Sequence, residues 1–326
     1  MASEKALEKT YVGIDLGGTK LFGALVSADG ALIEETYVEH GGARLAGASN
    51  LQPPLSDDER ELGSAYVRTV ELAQDLVARA RARGIEPQGI GVGAPGMTRP
   101  DGVVIAAGAL SWHEVPLGAL LARRCGLPVR VENDVNLAAL GEHAYGAGRG
   151  LRSLFLFTIG TGIGGGLVID GKLWRGRHHA AGEIGAMLPG REFLSWSDRD
   201  WGAFEALASG TGLTSEAKRL ALAAGIVPAE DDLRGEKLFA AAANGVPHAR
   251  RALDHAIELW TVALAAVQAI LDPDLIVLSG GVAPSATPFL PLISGRLRHA
   301  LPFAPDIAPT TLGYKAAVLG APALFR

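Results

Sequence analysis

Two aspartates stand where apolar runs end, each followed by a pattern that invites chemistry. Asp15 closes the run Tyr11 to Asp15 ahead of Leu16 and the pair Gly17-Gly18, and Asp134 follows PVRVE and Asn133 at the head of VNLAALGEHAY. A carboxylate beside a glycine turn can hold a hard divalent cation, directly or through water, while the turn's N–H groups face phosphate oxygens. A carboxylate at a helix N-terminus is stabilised in its charged form by about 0.3–1 kcal/mol, which suits a base that must be ionised at neutral pH. Each has a plainer alternative: a turn aspartate for Asp15, and an N-cap for Asp134.

Glycine-rich turns recur after apolar runs at Gly17-Gly18, Gly91 to Gly96, Gly160 to Gly166 and Gly280-Gly281. Repeated close approach of backbone N–H groups suits a ligand with many anionic oxygens, although any one such turn could simply be a tight turn. The string Gly160 to Gly165 satisfies GxGxxG, but it runs on into GLVIDGKLW, whose β-branched alternation and Asp170-Gly171 pair predict a hairpin rather than the helix that a dinucleotide fingerprint opens. No GxxxxGK[ST] string is present.

These turns need strands to carry them. YVGID and KLFGALVS predict two strands around Gly17-Gly18, and LFLFTIGTGIGGGLVIDGKLW repeats the design at a constant offset of 143, with Thr158, Gly160 and Gly166 in the places of Asp15, Gly17 and Gly23. Two half-molecules built alike follow. GIGVGAPG after Pro87 and PDLIVLSGGV from Pro273 are a second matched pair of buried strands. Ser56 to Glu59 form a capping box, and Leu62, Tyr66, Leu72, Ala73, Leu76, Val77 and Ala80 continue at helical spacing to Gly84. The glycine- and proline-rich stretch from His40 to Pro54 predicts a long loop. Strands alternating with helices give an α/β fold with largely parallel pairing.

With 326 residues, the chain has length for about two domains, each able to bury a core. A net charge of −5 leaves no basic excess to displace counterions from a nucleic acid. The lone Cys125 excludes an internal disulfide and any multi-cysteine metal site. The charged opening MASEKALEKT is not a secretory signal, and the apolar stretch Ala256 to Leu271 is too short to be read as a membrane span, so a cytoplasmic setting without membrane contact is expected.

Taken in order, DLGGTK (Asp15 to Lys20), ENDVNLAALGE (Glu132 to Glu142), TIGTGIGGG (Thr158 to Gly166), AAGEIG (Ala180 to Gly185), ASG (Ala208 to Gly210) and LSGGV (Leu278 to Val282) resemble a sugar kinase of the ROK family, within the actin and hexokinase superfamily. The resemblance runs from about Tyr11 to the C-terminus. It implies two ribonuclease-H-like domains with ATP in the cleft between them, and transfer of the γ-phosphoryl group to a sugar hydroxyl. One domain would comprise 1–140 and 313–326, with the final helix crossing back to it, and the other 141–312. On this resemblance Asp134 is the general base, while Asn133, Glu183, Glu205, Gly96 and His179 bind the sugar. Asp15, Gly17, Gly18, Thr19, Lys20, Thr161, Gly162, Gly280 and Gly281 bind the nucleotide, and Asp15 also holds Mg²⁺, directly or through water. A homodimer or higher oligomer is expected. A ROK-type regulator would need a DNA-binding segment before the first strand, and an actin-like ATPase would lack the sugar motifs.

The chain departs from the family at its structural zinc, where one histidine and three cysteines are replaced by Ala186, Trp196, Asp198 and Ala203. No zinc site is therefore expected, and packing by Trp196, Trp201 and Phe204 must hold that loop. An asparagine expected to contact sugar is Ala109, so an acceptor other than glucose, such as a modified hexose or a cyclitol, is a second expectation beside an ordinary hexose.

Overall fold

The computed structural model describes residues 9–18, 20–39, 54–196, 202–229 and 232–326. The chain divides into two units, one of Met1–Gly150, Gly176–Ala180 and Lys315–Arg326, the other of Leu151–Arg175 and Ala181–Tyr314. The first unit extends past position 140 because helix α4, Asp134–Tyr145, continues there.

Unit 1 is built on a sheet of β1 (Thr10–Leu16), β2 (Lys20–Ser27), β3 (Leu32–Glu39), β4 (Ile90–Ala94) and β8 (Val129–Asn133), ordered β3-β2-β1-β4-β8. β1 to β3 form an antiparallel meander, while β4 and β8 join in parallel. A separate sheet holds β5 (Met97–Thr98), β6 (Val104–Ala107) and β7 (Trp112–Val115). The capping box at Ser56 and Glu59 is present, but the helix it opens, α1 (Asp57–Glu61), ends at Leu62 and restarts as α2 (Gly63–Ala82). Gly63 sits at φ 75°, and the Leu62 carbonyl accepts the Trp112 indole N–H at 3.0 Å. Glu59 also receives the Tyr66 hydroxyl at 2.7 Å and pairs with Arg124 on α3 (Leu117–Cys125), so this helix start is tied to the core.

Several glycines serve packing. Helix α10 (Ala316–Gly320) lies against β1 and α4 so closely that a Cβ at Gly141 would stand 2.0 Å from the Ala316 carbonyl oxygen, and one at Gly13 would stand 2.4 Å from that of Val318. A Cβ at Gly91 would stand 2.6 Å from the Ala321 Cβ. Gly91 and Gly93 are thus strand residues that admit neighbours, which corrects their expected place in a phosphate turn; only Gly96 of that string lies in the loop beyond β4.

Unit 2 repeats the sheet with β9 (Leu154–Ile159), β10 (Ile163–Ile169), β11 (Lys172–Leu173), β12 (Ile276–Ser279) and β13 (Ile307–Pro309), ordered β11-β10-β9-β12-β13. GxGxxG runs into a strand, and Asp170-Gly171 turns the β10–β11 hairpin with both residues at positive φ. The repeat is not residue-perfect. Leu16 pairs with Leu21 but Ile159 pairs with Ile163, so the second turn is one residue shorter. Helices α5 (Ala203–Ala208), α6 (Gly210–Ala223), α7 (Glu236–Ala243), α8 (Pro247–Leu271) and α9 (Leu290–Ala300) cover this sheet. At 25 residues α8 is longer than the expected apolar stretch and has the length and composition of a membrane span. Its inner face, including Leu253, Ile257, Trp260, Leu264 and Val267, belongs to the core of unit 2, with the Trp260 indole donating to the Ala208 carbonyl at 2.9 Å. Both sheets share one strand order, the ribonuclease-H-like arrangement expected.

Candidate active site

In unit 1 the two aspartates meet around one glycine. Asp15 pairs with Gly93 across the β1–β4 ladder, and a Cβ at Gly93 would stand 3.2 Å from the Asp134 Cα, so the missing side chain lets the start of α4 settle beside Asp15. Burial, then the neighbouring Asp134 charge, raises the Asp15 pKa to about 7. Burial raises Asp134 to about 6 against the opposing Val135 N–H, which its Oδ1 accepts at 2.9 Å. Asp15 is thus only partly ionised at neutral pH, while Asp134 stays largely ionised.

Asn133, rather than Asp134, is the N-cap of α4: its Oδ1 accepts the Asn136 N–H at 2.9 Å, and its Nδ2 donates to the Gly96 carbonyl at 3.0 Å. Its amide thus already fastens the loop after β4 to the helix start. Gly96 sits at φ 82°, and a Cβ there would stand 1.9 Å from the Ala106 carbonyl oxygen, so no other residue fits. In the first hairpin turn the Gly17 N–H donates to the Lys20 carbonyl at 3.0 Å, Gly18 is exposed beside the Ala109 methyl, and the Lys20 ammonium lies 3.6 Å from Glu39. Thr19 lies outside the described residues. His178 is exposed, whereas His179 has φ 58° and a buried Nδ1 with no hydrogen-bond partner.

In unit 2 the matching turn closes through the Gly160 N–H, which donates to the Gly162 carbonyl at 2.9 Å. Glu205 on α5 is fastened to this turn: its Oε2 accepts the Ile163 N–H at 2.6 Å, and a Cβ at Gly162 would stand 2.3 Å from the same oxygen. Burial raises its pKa against that hydrogen bond. Glu183 is exposed in a loop fixed by Gly182, whose Cβ would stand 2.3 Å from the Gly165 carbonyl oxygen. Beside the turn opens a cavity of about 480 Å³ lined by Gly160, Thr161, Thr214, Lys218, Arg234 and Gly281. Gly280 at φ 90° bends its rim, where a Cβ would stand 2.4 Å from the Ile159 carbonyl oxygen. This cavity has the size of a nucleoside-bearing ligand. Sequence reading overlooked Thr211, Thr214 and Lys218, although their spacing on α6 beyond ASG puts them on one face.

The loop that replaces the zinc motif is packed piecemeal. Phe204 is fully buried against Phe157, Trp196 is half-exposed with its edge against Phe193, and Trp201 and Asp198 lie outside the described residues.

Duplicated ribonuclease-H-like sheets, each ending in a glycine turn, define the actin-like ATPase fold. The chain belongs to the ROK family, whose model matches residues 11–326. A glucokinase of Halalkalibacterium halodurans is 32% identical to it, over 96% of this chain and 94% of that protein. A ROK hexokinase from Thermus thermophilus superposes with a TM-score of 0.73 at 29% identity, covering 97% of each chain. A ROK family glucokinase from Streptomyces griseus, solved in complex with glucose and AMPPNP, gives 0.73 at 28% identity, covering 97% of this chain and 98% of that one.

Proposed function

We propose that this carbohydrate kinase transfers the γ-phosphoryl group of ATP to a hydroxyl of a hexose or hexose-like sugar, with Asp134 as general base. The observation that carries this reading is the placement of Asp134, raised to about 6, at the first residue of α4 beside Asp15. The acceptor hydroxyl gives its proton to Asp134 as its oxygen bonds to the γ-phosphorus, and the bond from that phosphorus to the β–γ bridging oxygen breaks, releasing ADP. Thr161 and Gly281 border the cavity of unit 2 suited to the nucleoside. Among the described residues no group of three or more metal-ligating side chains gathers. Mg²⁺ is held by one or two carboxylates together with the phosphates, and Asp15 is the residue assigned to it here. Mg²⁺ supplies charge neutralisation on the transferring phosphates.

Asn133, Gly96, Glu183, Glu205 and His179 are assigned to the acceptor, since a neutral polyol is selected by convergent donors and acceptors. The glucokinase relatives support a hexose. Ala109 and Ala186 support a second reading, in which a modified hexose or a cyclitol is preferred, because methyl groups give a glucose hydroxyl no partner. The test is kcat/KM with ATP and Mg²⁺ for glucose, mannose, fructose, N-acetyl hexosamines and cyclitols. A value for glucose near 10⁵ M⁻¹s⁻¹ and unmatched by the others, within the roughly 10⁴–10⁸ range of enzymes on their own substrates, selects the first reading. A better non-glucose acceptor selects the second, and no turnover with any acceptor rejects both.

A further inference from the structure

Beneath the Asn133–Asp134 junction lies a buried carboxylate to which the mechanism above gives no part. Glu132, the residue before Asn133 on β8, is 2% exposed. Its Oε1 accepts the Asn133 N–H at 3.0 Å, the Asn136 Nδ2 at 3.1 Å and the Thr98 hydroxyl at 3.3 Å. Thr98 and Asn136 are themselves buried, at 2% and 4%. An ionised carboxylate in such a place is costly unless several donors meet it, and a leucine would fill the space without that demand.

The donors have one thing in common. Asn133 carries the peptide that leads into Asp134, and Asn136 gives its own N–H to the Asn133 cap. Thr98 stands two residues beyond Gly96, whose carbonyl takes the Asn133 amide. Glu132 thus closes a ring of hydrogen bonds joining residues 96–98 to residues 132–136. We infer that Glu132 is a positioning residue of the transfer step, which with Thr98 and Asn136 holds the Asp134 backbone and the Gly96 loop in one fixed relation. The inference rests on Asp134 being the base. Catalytic geometry is intolerant enough for a displacement of about 1 Å to cost about 100-fold in rate, so loosening the ring lowers turnover without touching any substrate.

Glu132→Leu fills the space but removes the oxygen on which all three donors meet, while Thr98→Val removes one donor and Thr98→Ser restores it. Expected for Glu132→Leu is a 10- to 100-fold fall in kcat, with both KM values within about threefold of wild type. Thr98→Val, the variant safer for folding, loses about three- to tenfold in kcat, and Thr98→Ser recovers it. Rates are taken per folded molecule, from the circular-dichroism signal at the assay temperature, because a purely structural role would lower the melting temperature and leave kcat alone. Wild-type kcat in both Glu132→Leu and Thr98→Val, or a Thr98→Ser variant as slow as Thr98→Val, overturns the inference. Wild-type turnover is recorded alongside: if it is absent with every acceptor, the kinase reading falls and takes this inference with it, whereas active wild type with unaffected variants overturns the ring alone.

Discussion

The two hairpins that repeat at an offset of 143 residues share strands, order and a closing glycine hydrogen bond, yet they end differently. The first presents Asp15, beside a second aspartate at the start of α4; the second presents Thr158, with a threonine-lined cavity next to it and Glu205 fastened to its turn. One backbone device has been put to two uses. In unit 1 two aspartates gather beside the turn, and in unit 2 the turn opens on a cavity bordered by threonines. The duplication supplies the turn twice, one residue shorter the second time, and the side chains around the two copies differ.

That division is tested most severely by Asp134→Asn, which keeps size and the Val135 contact but cannot take the proton. A loss of about 10²–10⁴ in kcat is expected, with nucleotide affinity by calorimetry unchanged. A matching loss of affinity would show that the two uses are not separate. The mirror experiment is Gly280→Ala: an L-residue at φ 90° costs about 1–2 kcal/mol, and this Cβ meets backbone. The expected result is a rise of about tenfold in KM for ATP, kcat and acceptor KM being retained.

Smaller effects sharpen the electrostatic side. In the folded protein Asp15 titrates near 7, well above its value in an unfolded chain, so its charged form weighs against folding above that pH, and the burden disappears as pH falls and the group is protonated. Asp15→Asn should therefore raise the melting temperature of the nucleotide-free protein at pH 8 and much less at pH 5. Equal shifts at both values would remove the buried charge from the account. The smallest effect is expected from His179→Gly, which releases a left-handed backbone and an orphaned ring nitrogen. Its melting temperature should rise by about 2–4 °C, the change that about 1 kcal/mol makes in a domain of this size, and KM for the acceptor should rise with it. A lower melting temperature would mean that the ring contributes packing instead.

Much of this was legible in the residues. Hairpins announce themselves through short-range pairing, so YVGID, KLFGALVS and their later copy are placed by sequence, as are the capping box at Ser56 and the junction of β8 with α4. What escaped depends on distant partners. The break at Leu62 answers to Trp112, fifty positions on. Gly13 and Gly141 look like idle or turn-forming glycines until α10 is laid over them, because a glycine records an absence that only its neighbour explains. The Asn133 amide, expected to face the sugar, also fastens the loop after β4 and caps α4, two backbone partners that no local pattern announces. Glu132 opens one of the motifs, yet one acidic residue in a strand says nothing of the donors folded around it.

The seating of α10 also has a consequence for how the molecule is made. β1, near the front of the chain, shows α10 a face smoothed by Gly13, and about 300 residues must leave the ribosome before that cover exists. At about 5–20 residues per second, the wait is on the order of 15–60 seconds. Within that interval every residue of unit 2 emerges, so the second-written unit can finish first, while the earlier one waits with an uncovered flank for chaperones to shield.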